Sequence, residues 1–317
     1  MTVGVLVMAY GTASGPGDVE RYYTDIRGGR APTPEQVREL RDRYSAIGNV
    51  FPLLDTTRAQ ADGLVDRLNA GGGSYRAYLG MKHSSPFIAE AVARMQRDAL
   101  ERAIGIVMAP HWSGMSVESY VDRVLTAVDE QGGGPEFTFV RSFHDHPAFV
   151  RFLAGRVREA VEEVGVERPV VVFSAHSLPV RGVADGSLRC VRCDCEASCR
   201  YRDGLQRTAD LVAMKLSLPD HHIAWQSAGR TDDPWWGPSV DEVIARLAAD
   251  GREGVVVCSA GFVSDHLETL YDLDIEARAA ARAAGIAFAR TRMPNADPVF
   301  LDVLSSVVRD HLAGVRA

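Results

Sequence analysis

Short apolar runs alternate along this chain with longer stretches in which apolar residues recur every three or four positions. The first run spans 3–9, with Val3, Val5 and Val7 alternating around Leu6, and it opens into a loop at Ala9-Tyr10-Gly11. The same reasoning predicts strands at 75–80, 104–109, 136–140, 170–175, 223–226, 254–258 and 286–289. Helical periodicity predicts helices at 18–27 (with Asp18 as cap), 35–47, 55–69, 86–100, 117–129, 147–164, 201–216, 240–249, 267–284 and 298–312. Glycine pairs and triplets at 28–29, 71–73 and 132–134 separate them. Apolar strands between helices imply parallel sheets covered on both faces, an α/β fold. The long helix after Pro147 divides the chain into two expected lobes, 1–146 and 147–317, with the last helix free to pack back on the first lobe. A weak echo, Lys82-His83-Ser84 against Ala175-His176-Ser177, is compatible with two similar open-sheet lobes.

One predicted helix carries an unusual polar pattern. Glu268, Asp272 and Glu276 recur every four residues, so at about 100° per residue they stay along one stripe. Like charges at that spacing cost an isolated helix a few tenths of a kcal/mol (~0.2–0.5) per pair. No Lys or Arg stands at 264 or 280 to offset them. A cation track accounts for the stripe; a solvated face with Asp265 and Glu268 as a capping box accounts for it too. His176 ends another strand of the same half, where it is placed to act as base or metal ligand, or to bond its own loop. Open parallel sheets bind ligands beyond the carboxyl ends of their strands. His176 and the acidic helix should therefore face one crevice. Tyr10 also follows a strand, and a tyrosine phenolate can ligate iron axially. Arg21, Arg27, Arg30, Arg38, Arg41 and Arg43 crowd the next segment, where they either pair with interspersed acids or receive an acidic ligand.

Bulk properties narrow the classes. The 317 residues are 46% hydrophobic and 24% charged, and the net charge is −7. That composition belongs to a globular protein, and the charge opposes general nucleic-acid binding. No apolar run approaches membrane-spanning length. The first residues lack a basic leader pattern, so the cytoplasm is the expected compartment. Four of the five cysteines, Cys190, Cys193, Cys195 and Cys199, fall within ten residues. In a reducing compartment that spacing suits a metal better than disulfides. Zinc or an all-thiolate 2Fe–2S cluster would accept the same four. Cys258, at a strand end, reads as a small apolar residue.

Taken in order, L-V-M-A-Y-G-T, E-R-Y-Y-T-D-I-R, D-R-Y-S-A-I-G, G-M-K-H-S-S-P-F-I, A-P-H-W-S, F-S-A-H-S-L-P, W-Q-S-A-G-R-T-D-D-P-W-W-G-P and G-F-V-S-D-H-L-E-T-L-Y-D-L-D-I-E resemble the ferrochelatases. The likeness is strongest to monomeric coproporphyrin ferrochelatases of Gram-positive bacteria. The resemblance implies two Rossmann-like lobes around a porphyrin cleft. It also implies insertion of Fe(II) into coproporphyrin III, giving coproheme and two protons. By position, His176 and Glu268 resemble the family's facing catalytic pair at the metal, with Asp272 and Glu276 as an outer metal station that Mg2+ would also suit. Tyr10, Arg27, Arg43, Lys82, His83, Tyr120 and Trp235 resemble its porphyrin contacts. Gly28 and Phe51 depart from the pattern near the propionates. Some bacterial relatives carry a cluster in the second half of the chain, which favours 2Fe–2S over zinc at the cysteines. A transient partner is implied as well, the decarboxylase that consumes coproheme.

Three other readings fit parts of the sequence. A protoporphyrin IX ferrochelatase would use the same metal residues. A haem carrier would keep Tyr10 but has no use for Glu268, Asp272 and Glu276. A cobalt or nickel chelatase would rely on more histidines at the metal.

Overall fold

The computed structural model describes residues 2–183, 186–193, 195, 198–229 and 231–315. In chain order the strands are β1 (Val3–Ala9), β2 (Tyr75–Met81), β3 (Arg102–Val107), β4 (Glu136–Val140), β5 (Val170–His176), β6 (Val180–Gly182), β7 (Leu188–Cys190), β8 (His221–Gln226), β9 (Gly254–Cys258) and β10 (Ala287–Arg290). The helices are α1 (Val19–Ile26), α2 (Pro34–Ala46), α3 (Leu53–Ala70), α4 (Ile88–Arg97), α5 (Val117–Glu130), α6 (Pro147–Val164), α7 (Arg200–Leu216), α8 (Val240–Ala249), α9 (Leu267–Leu270), α10 (Arg278–Ala284) and α11 (Pro298–Val315).

Two four-stranded parallel sheets result, ordered β2-β1-β3-β4 and β10-β9-β5-β8. Numbered within its own lobe, each reads second-first-third-fourth, so the two lobes share one topology. The alternation along each strand explains why both faces are buried. On β1, Val5 and Val7 join the core shared with α3, α6 and α11, while Leu6 and Met8 face α4 and α5. On β5, Val171 and Phe173 enter that same shared core, and Val170 and Val172 face α8. The lobes are thus joined through one apolar core. Helix α11 completes it by returning to α3, where Leu301 lies against Gly63 and Arg67 pairs with Asp302 at 2.5 Å. Gln60, fully buried on α3, adds a polar fastening. Its amide N–H groups donate to the carbonyls of Val263 (3.0 Å) and Asn295 (2.9 Å), and its carbonyl oxygen accepts from the Ser264 hydroxyl (3.3 Å) in the second lobe.

Local differences from the sequence expectations have identifiable causes. Asp18 does not cap α1; its carboxylate accepts from the Ser14 backbone and from Arg21 instead. The hairpin β6–β7, which carries Cys190, is too short to leave a periodic signal. His83 and His176 are not equivalent positions, because His83 follows the second strand of its lobe and His176 ends the first. The predicted helix 267–284 is broken into three. Between α9 and α10, residues Asp272–Ala277 form a widened π turn, with Glu276 N–H donating to the Tyr271 carbonyl at 3.0 Å. Wider turns rotate less per residue, which opposes the drift an α-helix imposes on residues four apart.

Candidate functional site

Strands β5 and β9 are neighbours, paired from Val170↔Val255 to Phe173↔Cys258. They are the first and third strands of their lobe, and between them the order of the sheet reverses. That switch point is where open α/β sheets form a crevice. His176 ends β5 and Glu268 lies on α9, in the connection after β9, so topology brings them together. His176 Nε2 is 3.5 Å from Glu268 Oε1. The ring's Nδ1–H donates to the Ser177 carbonyl, which leaves Nε2 as the nitrogen turned to the carboxylate. The second carboxylate oxygen is 3.5 Å from Nε2 of His266. Glu268 is therefore bracketed by two imidazoles.

The expected alternative for this helix, a capping box of Asp265 and Glu268, does not form. Asp265 accepts from Asn295 at 2.7 Å and pairs with Arg290 at 3.4 Å. The Thr269 hydroxyl instead accepts from the His266 backbone at 3.0 Å. Behind the pair, Gln226 holds the Glu268 carbonyl through its amide at 3.0 Å and accepts from Ser174 at 2.9 Å.

Burial opposes the charge on both partners, and each overrides it in the other. His176 is pushed down by burial, the largest cause, but Glu268, with the Ser177 carbonyl and Asp272, raises it to about 8. Burial would raise Glu268, yet His176 and then His266 hold it well below the usual carboxylate range. Four residues on, Asp272 is nearly buried and raised to about 6, by burial first and then by Glu268. The Ser227 hydroxyl donates to one of its oxygens, while the other, Oδ1, is buried with no hydrogen-bond partner. The guanidinium of Arg43 lies 3.7 Å from that oxygen and 3.8 Å from Glu276. It also stacks 4.7 Å over the Tyr271 ring. Arg43 thus stands at the outer acidic pair rather than apart from it, because α2 packs beside the acidic segment.

The first lobe supplies the opposite wall. Tyr10 follows β1, is 43% exposed, and its ring lies 4.6 Å from that of His83. Lys82, just after β2, donates to Ser119 at 2.6 Å and lies 5.1 Å from the Tyr120 ring centroid. His83 Nδ1 is 2.7 Å from Asp25. Burial lowers Lys82 to about 8 and His83 to about 4, and it raises Tyr10 and Tyr120. Glu268 acts on Tyr10 from across the cleft as the second cause. The two walls also touch directly, since Leu267 packs on the cluster of Ala13, Val19, Tyr22 and Tyr44. Arg27 sits beside the Tyr23 ring at 5.8 Å, with its Nε buried and unbonded. Phe51 stacks on Tyr44 at 4.4 Å. Trp235 is half-buried, and its indole N–H makes a local bond to Thr231 at 3.1 Å.

The sequence reading missed His266, Gln226 and Ser227. His266 carried a signal, standing two residues before Glu268. Gln226 ended a predicted strand and Ser227 followed it, but only their contacts with the acidic segment mark them.

The cysteine segment lies behind His176. Cys190, Cys193 and Cys199 are buried and Cys195 is partly so. Cys190 and Cys199 Sγ atoms are 3.3 Å apart, and the Trp236 indole N–H donates to Cys190 at 3.1 Å. Cys193 and Cys195 are joined as a disulfide, so the expected set of four free thiolates is not present. Among the described residues no group of three or more His, Cys, Asp or Glu is arranged to hold a metal ion. In donor type the four cysteines still fit a sulfur-ligated group, and Cys190 and Cys199 already stand together. Full use of the four needs that disulfide reduced.

These features define a chelatase-type α/β fold, as solved structures of low sequence identity bear out. SirB from Bacillus subtilis with Fe3+ superposes with a TM-score of 0.59 at 9% identity, over 100% of this chain and 98% of that one. CbiX, the terminal enzyme for biosynthesis of sirohaem in denitrifying bacteria, does so at 0.54 and 12% identity, over 97% and 98%. Sequence carries the assignment further. Residues 2–312 match the ferrochelatase family, and the chain belongs to it. It is 43% identical over 316 residues to a coproporphyrin III ferrochelatase of Anoxybacillus flavithermus, covering 98% of this chain and 96% of the relative. It is 42% identical to one of Listeria innocua, covering 97% of each.

Proposed function

We propose that this protein inserts Fe(II) into coproporphyrin III, releasing coproheme and two protons, as the names of its full-length relatives indicate. The observation that carries this reading is the His176–Glu268 pair at the switch point, continued outward by Asp272 and Glu276. Metallation exchanges two pyrrole N–H bonds for bonds to iron. Glu268, held ionised, is suited to ligate the incoming cation. His176 serves as base once it has lost its own proton, because its Nδ1–H is committed to Ser177 and only Nε2 is free. Asp272, raised to about 6, can pass protons outward and hold iron while its water is stripped. Glu276 and Asp272 form the outer station, for Fe(II) or Mg2+. Tyr10, Lys82, His83, Tyr120, Arg27, Arg43 and Trp235 receive the porphyrin and its propionates, and contacts remote from the reacting nitrogens supply the strain that bends the ring.

The lobe boundary at 146/147, a monomer, a cytoplasmic location and a transient handover to the coproheme decarboxylase belong to the same reading. Among the described residues no helix is long and apolar enough to cross a membrane. Cys190, Cys193, Cys195 and Cys199, once reduced, would hold a 2Fe–2S cluster, with zinc as the alternative. Iron, sulfide and zinc analysis of the purified protein separates the two, and stoichiometric zinc without sulfide rejects the cluster. An anaerobic assay with Fe(II) and each porphyrin side by side tests the main reading. Faster turnover of coproporphyrin III than of protoporphyrin IX is expected; equal rates would assign the protein to both substrates instead.

A further inference from the structure

β5 is held by β9 only as far as Phe173, and by β8 through His176. The catalytic end of the strand therefore projects past the part of the sheet that supports it on both sides. Gly261 N–H still donates to the Ser174 carbonyl at 3.0 Å and Ser177 N–H to the Gln226 carbonyl at 2.7 Å; at the His176 carbonyl itself the support comes from the helix that follows the cysteines. Tyr201, in the first turn of α7, donates its hydroxyl to the His176 carbonyl at 2.9 Å. The next residue, Ser177, donates its hydroxyl to the Trp236 carbonyl at 2.8 Å. Tyr201 is itself firmly seated. Its ring lies edge-on to His111 at 6.4 Å and tilted on Trp225 at 5.5 Å, and Trp225 in turn stacks on Trp236 at 5.8 Å. Burial raises the Tyr201 pKa, so its hydroxyl remains a donor.

We propose that Tyr201 is a positioning residue for His176: its hydroxyl fixes the His176 peptide and so sets the approach of Nε2 to the bound porphyrin. The inference rests on His176 acting as the base. The carbonyl it holds is bonded directly to the Cα that carries the imidazole, and Ser177, whose carbonyl accepts the imidazole Nδ1–H, is anchored through Trp236. Loss of the Tyr201 hydroxyl would let the ring shift as a unit with its tautomer intact. A displacement of about 1 Å at a reacting group can cost on the order of 100-fold in rate.

Tyr201→Phe keeps the ring and its packing while removing the donor. The expected result is a fall of about tenfold in kcat for Fe(II) insertion, with the porphyrin KM, melting temperature and bound iron and sulfide unchanged. A double-mutant cycle supplies the decisive readout. In a His176→Ala background, Tyr201→Phe should cost nothing further, because the group it positions is gone. Unchanged kcat in the single variant overturns the proposal. An equal loss in both backgrounds overturns it too, since Tyr201 would then act without His176. Wild-type protein and His176→Ala alone are run alongside. An inactive wild type would reject the proposed function, and a fully active His176→Ala would reject both the base assignment and the role of Tyr201.

Discussion

The two lobes share one strand order but treat the ionisable groups at their strand ends in opposite ways. In the first lobe, burial is the largest cause at each group and decides the direction. Lys82 and His83 are lowered and Tyr10 is raised, so each is moved toward its uncharged form. Asp25, 2.7 Å from His83, pulls the other way, but the positive charges of Lys82 and Arg123 side with burial. In the second lobe, His176 and Glu268 face one another, and each stabilises the charge on the other against burial. Desolvation therefore wins where neighbouring cations side with it, as Lys82 and Arg123 do at His83, and loses where a second carboxylate, Asp272, joins the partner, as at His176. On the proposed reading, a porphyrin between the lobes would meet an aromatic wall carrying the cationic Lys82 on one face and the His176–Glu268 ion pair on the other. In the proposed mechanism, proton removal and iron capture fall to the second.

The largest test of this contrast removes the charge that creates it. Glu268→Gln should reduce turnover by at least about 1,000-fold while leaving porphyrin binding, followed by fluorescence quenching, within about twofold. In that variant His176 should titrate well below 8 in a histidine NMR titration, because the strongest opposition to burial is gone; a value still near 8 would dismiss Glu268 as the cause. His176→Ala should lower kcat by about 100-fold or more, and near-wild-type kcat would remove the imidazole from proton transfer. The pH dependence is next in size. His176 holds its proton below about 8, so kcat/KM should rise about tenfold per pH unit up to that point and then level off. Below about 6 a further decline is expected as Asp272 protonates. A flat profile from pH 6 to 9 would detach His176 from catalysis. Smallest is Asp25→Asn in the first lobe, expected to change kcat by less than about threefold. A loss as deep as that of His176→Ala would show the two walls to be chemically alike.

Much of this was legible in the sequence, for physical reasons that differ by element. Strands such as Val170–His176 are buried on both faces, so they read as unbroken apolar runs. His176 and Glu268 could be matched because each follows such a strand. The π turn was not legible, since nothing in D-L-D-I-E-A marks it; the turn widens through backbone bonding within the fold. Arg43 at Asp272 and Glu276, and Gln226 at the Glu268 carbonyl, join elements far apart in sequence, and no local pattern encodes such contacts. At the cysteines, spacing indicated proximity correctly. It could not indicate that Cys193 and Cys195 would be bonded to each other.

The fastening made by Gln60 has a mechanical consequence. To open the lobes on that side, three hydrogen bonds would have to break together in a place without water to replace them. The jaw is therefore stiff where it meets Val263 and Ser264, a few residues before Glu268. A rigid vice deforms what it grips. On the proposed reading, the compliant body would be the macrocycle, and the work of bending would fall on the ring rather than on the chain.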